Sequence, residues 1–383
     1  MPVHLLVDRD ILSTSSGDCV GTRPGASTAN HLRVGLLNNM PDSALKATER
    51  QFLNLLGSAA GGLADGLDVI VSLYALPDIP RTESGRLHIS RFYSGVNDLW
   101  NAPIDALIVT GAEPRADNLN REPYWQDLAK VVDWAEENTH STIWSCLAAH
   151  AALQHADGIA RRRLPDKRYG VFECVRTADH ELTAGLPSCI YMPHSRWNDL
   201  PENDVAGCGY RILTRLKDGG VDTFVRKGKS MSLFFQGHPE YESDTLLLEY
   251  RRDLARYLRH ESDICPAVPG GHFDRATSDK LTMIRARSAA DRKIELLADF
   301  PIVALRSEMA AAWHPIALRI YTNWLGYLSA RKQAQFKQRP YRNRSEDANL
   351  KPSIGCMKTG SGDVAQTPVL STALQARAKV SGV

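Results

Sequence analysis

The stretch Ser141 to Leu153, S-T-I-W-S-C-L-A-A-H-A-A-L, decides how the chain is read. Thr142, Ile143 and Trp144 are β-branched or aromatic and predict a short buried strand. Ala148, Ala149, Ala151, Ala152 and Leu153 predict a helix, and Cys146 falls between the two. A sharp strand-to-helix turn lifts its central side chain out of the sheet, beside the free backbone N–H groups at the helix start. There the helix dipole and nearby cations favour a thiolate, the form of cysteine that attacks carbonyl carbon. The alternative is a buried cysteine that merely packs. The residues around this stretch bear on the choice.

Working outward, the sequence before it repeats one rhythm. Leu32 to Leu37 predicts a strand, closed by the turn-forming Asn38-Asn39-Met40-Pro41. A helix follows from about Ser43, with Leu45, Phe52, Leu53, Leu55 and Leu56 inward and Gly57 near its end. Leu67 to Tyr74 and Asp105 to Thr110 predict two more strands, the second running into Gly111-Ala112. Tyr124 to Asn138 is amphipathic, with Trp125, Leu128, Val131, Val132 and Ala135 at helical spacing. Strands alternating with helices indicate an α/β chain with a doubly wound, mainly parallel sheet. Such sheets bind ligands at the carboxyl ends of their strands, where Thr110-Gly111-Ala112 and Cys146 both fall. Between about residues 158 and 230 the character changes, and alternating runs such as Asp222 to Arg226 predict antiparallel additions.

Met231 to Phe235 predicts another buried strand, ending in G-H-P-E-Y (237–241). In an extended backbone residues two apart face the same side, so His238 and Glu240 are expected to point together. A carboxylate beside an imidazole fixes its tautomer and supports the imidazolium formed when it takes a proton. Alone, H-x-E is more often a surface turn. With a cysteine at a neighbouring strand end it completes a nucleophilic set of Cys146, His238 and Glu240. Beyond it Ser243 can cap a helix carrying Leu246, Leu247, Leu248, Tyr250, Leu254 and Tyr257. Arg252 lies off that stripe, able to pair with Glu249 or to reach an anion.

Composition narrows the remaining classes. The 383 residues are 43% apolar, enough for one large core, and the formal net charge of +2 gives no global pull toward nucleic acid or a membrane surface. Arg161-Arg162-Arg163 lacks the aromatic interleaving of a nucleic-acid site. Seven cysteines without C-x-x-C spacing argue against a disulfide framework or a zinc site and for a reducing, cytoplasmic location. No apolar run reaches the ~20 residues that span a bilayer.

Several motifs carry a resemblance. V-G-L-L-N-N-M-P (34–41), A-T-E-R-Q-F-L-N-L-L (47–56), L-I-V-T-G-A (107–112), Y-W (124–125), C-L-A-A-H-A-A-L (146–153), P-H-S-R-W (193–197), G-H-P-E-Y (237–241), E-Y-R-R-D (249–253) and T-N-W-L-G-Y (322–327) resemble, in that order, the homoserine O-acyltransferase family of methionine biosynthesis. The resemblance implies a class I glutamine amidotransferase-like, flavodoxin-like fold. It implies transfer of an acyl group from succinyl-CoA or acetyl-CoA, through Cys146, to the hydroxyl of L-homoserine, with His238 as base and Glu240 orienting it. By position it implies oxyanion stabilisation near Gly111, Ala112 and Leu147, and substrate binding by Lys167, Ser195 and Arg252. It also implies a homodimer, with no bound cofactor or metal. The position tied to acyl-donor preference falls at Arg115, whose guanidinium could pair with a succinyl carboxylate, or could be a plain loop arginine.

Three departures stand beside these matches. The loop after Met40-Pro41 is longer than the family pattern, residues 259–312 lie outside the matching motifs, and W-H-P-I-A-L (313–318) replaces the arginine and histidine expected after the final tryptophan. Serine or another hydroxy amino acid therefore remains open as acceptor. Glutamine amide hydrolysis by the same residues and a non-catalytic binding role also remain open. Domain limits are expected at a flexible arm (1–31), one acyltransferase domain (32–330) and a basic, polar, disordered tail (331–383).

Overall fold

The computed structural model describes residues 3–7, 10–13, 31–63, 66–300 and 311–338. Its strands are β1 (Val3–Val7), β2 (Asp10–Ser13), β3 (His31–Leu37), β4 (Asp68–Ala75), β5 (Ser94–Gly95), β6 (Ala106–Val109), β7 (Ser141–Ser145), β8 (Arg162–Arg176), β9 (Cys189–Asp199), β10 (Arg211–Leu216), β11 (Val221–Lys227) and β12 (Met231–Phe235). They join in one sheet of order β2-β1-β4-β3-β6-β7-β12-β11-β10-β8-β9, with β5 beside β4. From β1 to β12 along that order the pairings are parallel, and from β12 to β9 they are antiparallel. The expected α/β architecture with antiparallel additions is present.

The central strands are apolar on both faces, as a parallel sheet covered on both sides requires. In β6, Ala106 and Ile108 enter one core while Leu107 and Val109 enter the other. Ile143 and Trp144 of β7 divide the same way, as do Phe235 and Phe234 of β12. The first core is covered by α1 (Asp42–Gly61) and α9 (His314–Gln338), the second by α4 (Trp125–Asn138) and α5 (Leu147–Asp157). Trp324 of α9 is fully buried and its Nε1 donates to Ser141 Oγ at 2.9 Å, tying the last described helix to β7. Short helices α2 (Glu83–Phe92), α3 (Val96–Leu99) and α6 (Glu202–Gly207) fill connections.

Several expectations are corrected. Regular structure begins before Leu32, because Val3–Val7 adds to the sheet edge parallel to β4 and Val3 is buried in the first core. Helix α1 runs past Gly57 to Gly61, with Gly57 buried inside it. At the other end α9 continues to Gln338, beyond the boundary expected at 331, and residues 339–383 lie outside the described residues.

Residues 259–300, which carry none of the matching motifs, are built in as well. Helices α7 (Thr245–Leu258) and α8 (Arg275–Ala290) share a third core with Trp313. The loop between them bridges to β8: Val171 N–H donates to Gly270 O at 2.8 Å, and Gly270 N–H to Tyr169 O at 3.0 Å. Gly170 makes this approach possible, since its φ is +140° and a Cβ there would collide with the backbone of Gly270. Gly170→Ala is therefore expected to destabilise the fold by at least the ~1–3 kcal/mol of such a strained backbone. Denaturant unfolding read by far-UV circular dichroism checks this; an unchanged midpoint would contradict it.

Candidate active site

β7 and β12 are parallel neighbours in register, Phe235 opposite Ser145, so their carboxyl ends lie side by side. One residue further, Cys146 N–H still donates to Phe235 O at 2.7 Å, and the chain then turns into α5. Cys146 takes φ 51° and ψ −110°, a backbone that few non-glycine residues adopt and that costs ~1–3 kcal/mol. Gly111 makes room for the turn, because a Cβ there would stand 2.6 Å from Leu147 Cβ.

On the neighbouring strand end, Tyr241 N–H closes a turn on His238 O at 3.2 Å. This turn, rather than an extended backbone, brings His238 Nδ1 to 2.8 Å from Glu240 Oε1. Both side chains are buried. Burial alone would lower the imidazole's proton affinity. The charges of Glu240 and Cys146, and its hydrogen bonds to both, outweigh that and hold its pKa well above the ordinary value. The ring stacks on Tyr241 with centroids 4.3 Å apart, and Tyr241 in turn donates to Glu249 Oε1 at 2.8 Å. The imidazole is thus hydrogen-bonded to the carboxylate and shares the strand ends with the sulfur.

The three face a pocket of about 780 Å3. Gly111, Ala112, Leu147, Lys167, Ser195 and Arg252 all line it, so every other expected site residue except Arg115 is brought together there. Lys167 and Arg252 do not stand free: Lys167 Nζ lies 3.1 Å from Asp253 Oδ2 and over the ring of Tyr169, while Arg252 Nε donates to Asp253 Oδ1 at 2.9 Å. Desolvation raises the carboxyl of Asp253, but the two cations prevail and its pKa is lowered. Arg115 is exposed and lines a neighbouring hollow of about 310 Å3, away from Cys146. The cause is Glu122, whose carboxylate accepts the backbone N–H groups of Arg115 and Ala116, both at 2.6 Å, and folds the loop that way.

Tyr241, Glu249, Asp253 and Arg196 also line the pocket and were not singled out from sequence. All four lie inside quoted motifs, and Asp253 is the i+1 neighbour of Arg252. Among the described residues, Cys174, His194 and Asp222 form a buried group that could hold a metal by donor type. However, His194 and Asp222 face each other at 3.3 Å, and Thr214 and Thr223 hydroxyls donate to Asp222. Cys174 is kept a thiol by burial. The His194–Asp222 contact and the two threonine hydroxyls on Asp222 Oδ2 account for the placing of these residues.

The chain matches a family model described as homoserine O-succinyltransferase over residues 11–335. It is 47% identical to a homoserine O-succinyltransferase of Methylorubrum extorquens over 300 residues, which cover 78% of this chain and 88% of that one. It is 44% identical to the homoserine O-succinyltransferase of Rhodopseudomonas palustris, over 83% of this chain and 95% of that one. Among solved structures, a glutamine amidotransferase from Methylobacillus flagellatus aligns with a TM-score of 0.43 at 12% identity, over 78% and 96% of the two chains. These matches make the chain an acyltransferase. More narrowly, it belongs to the homoserine O-succinyltransferase family. The match runs through residues 259–300, which the quoted motifs do not reach. No described helix is long and apolar enough to cross a membrane.

Two buried imidazoles near the site make stability depend on pH. Burial lowers His194 to about 4 and His150 to about 3, against an ordinary 6.5. Below pH 6.5 the unfolded chain therefore binds protons that the folded chain refuses, and stability falls as pH drops toward 4, by up to ~1.4 kcal/mol per unit for each ring. His150→Asn is expected to flatten that slope by about one proton. Urea midpoints taken between pH 6.5 and 4.5 check it; equal slopes in both proteins would contradict the assignment.

Proposed function

We propose that the chain transfers a succinyl group from succinyl-CoA to the hydroxyl of L-homoserine through an acyl-enzyme on Cys146, in the cytoplasm and as a step toward methionine. The observation that carries the chemical route is the convergence of Cys146, His238 and Glu240 in one pocket at adjoining strand ends, with His238 Nδ1 2.8 Å from Glu240 Oε1. The Cys146 thiolate adds to the thioester carbonyl, and the carbonyl oxygen takes the negative charge. Backbone N–H groups around Gly111, Ala112 and Leu147 are the donors best placed for it. Collapse breaks the carbon–sulfur bond to CoA, whose thiolate takes the proton of the His238 imidazolium. His238, now neutral, removes the proton of the homoserine hydroxyl as its oxygen attacks the acyl carbon, and Cys146 leaves as thiolate with the imidazolium restored. Glu240 holds the ring through Nδ1, so the other ring nitrogen faces the sulfur and the substrate.

The acceptor is an α-amino acid with a side-chain hydroxyl, and its charged ends need partners of opposite sign. Lys167 and Arg252 supply cations and Glu249 and Asp253 anions along one wall of the pocket, with Ser195 as a short polar partner. A zwitterion can bind by exchanging with the Lys167–Asp253–Arg252 pairing. The resemblance further suggests a homodimer, which analytical ultracentrifugation would test.

Cys146→Ala is expected to abolish the covalent adduct formed with succinyl-CoA in the absence of acceptor. Intact-mass spectrometry reads it directly, and an undiminished adduct would refute the assignment. His238→Asn is expected to slow both half-reactions roughly 10^2- to 10^4-fold, and Glu240→Gln to cost less because it orients without taking the proton. Serine offered in place of homoserine separates the two acceptors.

A further inference from the structure

One buried cation in the pocket has no role in that scheme. Arg196 on β9 is only 4% exposed, yet it lines the pocket beside Cys146. Its guanidinium is held on two sides. Nη1 donates to Asn198 O at 2.6 Å and lies 3.0 Å from Asp199 Oδ1, while Nε donates to His194 Nδ1 at 3.2 Å. An arginine Nε can only donate, so Nδ1 of His194 is the acceptor and Nε2 carries the proton, facing Asp222 Oδ1 at 3.3 Å. Thr214 and Thr223 hydroxyls both donate to Asp222 Oδ2. A chain of buried groups thus runs from Asp222 through His194 to Arg196. It packs under Gly237, where a Cβ would meet Asp222 and His194. The remaining nitrogen, Nη2, is buried and has no hydrogen-bond partner among the described residues.

We propose that Arg196, aimed by the Asp222–His194 pair, presents Nη2 to a substrate carboxylate in the acyl-transfer pocket. A buried guanidinium N–H left unpaired is costly, and a carboxylate is the partner that satisfies it best. Of the other cations lining the pocket, Lys167 and Arg252 already share Asp253, Arg256 pairs with Glu113, Arg163 lies over Trp197, and Arg161 and Arg285 donate to backbone carbonyls, while Arg115 stands at the neighbouring hollow. Arg196 and Cys146 line the same pocket, so a substrate carried on the sulfur shares it with the guanidinium. Two carboxylates can reach such a place: the terminal one of a succinyl group on Cys146, and that of the amino-acid acceptor.

This rests on the acyl-transfer reading, which the Cys146 adduct tests separately. The discriminating substrates are neutral isosteres. In the donor arm, acylation by succinyl-CoA is compared with its terminal methyl ester by following CoA release without acceptor. In the acceptor arm, homoserine is compared with its carboxamide. The wild-type enzyme is expected to favour the charged form in one arm by roughly 10- to 100-fold, the worth of a charge-assisted hydrogen bond. Arg196→Lys, which keeps the charge but removes the fork, is expected to lose most of that preference in the same arm and leave the other unchanged. His194→Gln, which leaves the arginine but loosens its aim, is expected to erode the same preference part-way. Circular dichroism melts establish that each variant is folded. If the wild-type enzyme discriminates in neither arm, or if folded Arg196→Lys and His194→Gln both keep the full preference or slow charged and neutral substrates equally, the proposal is overturned.

Discussion

The parallel pairing of β7 with β12 is the constraint on which the site depends. The two strands are far apart in sequence, and their register sets Ser145 against Phe235. The ladder extends one step further, through Cys146 N–H to Phe235 O, before either chain leaves the sheet. That last bond fixes the backbone of the nucleophile relative to the strand that delivers His238 and Glu240. A register shift would send the sulfur to the opposite face of the sheet from the imidazole.

The same strand marks the change of architecture. Every pairing on one side of β12 from β7 to β1 is parallel, and every pairing on the other side, out to β9, is antiparallel. Parallel strands bring their carboxyl ends to one edge, which yields Gly111, Cys146 and His238 together. The antiparallel strands bring different groups: β8 supplies Lys167, and β9 supplies Ser195 and Arg196. Helix α7 then closes the wall with Glu249, Arg252 and Asp253. Chemistry on one side and charge recognition on the other meet at β12.

Much of this was legible in the residues. The apolar runs at Leu32, Leu67, Asp105, Ser141 and Met231 predict the parallel strands because strands buried on both faces must be continuously apolar. The cysteine at a strand-to-helix turn and the H-P-E step are equally local signals. What escaped reading depends on distance in sequence. The strand at Val3–Val7 is a short run whose parallel partner, β4, lies more than sixty residues away. His238 and Glu240 meet through a turn that strand geometry would not suggest, although the outcome is the one expected. Arg115 follows the path that a buried carboxylate at Glu122 imposes on its loop, and nothing beside Arg115 in sequence announces that carboxylate. Arg196, inside a quoted motif, reveals its buried setting only once β9 is placed against β8.

Helix α9 packs Ala317, Ile320, Tyr321, Trp324, Leu325 and Leu328 over the face of the sheet that carries Ile143, Leu233 and Phe235. These residues are the last of the described chain to be made, so during synthesis from the ribosome the centre of the sheet waits, uncovered, for its roof. A nascent chain that stops before residue 314 presents that greasy surface to its surroundings, and quality control has a defined feature to recognise in the incomplete product.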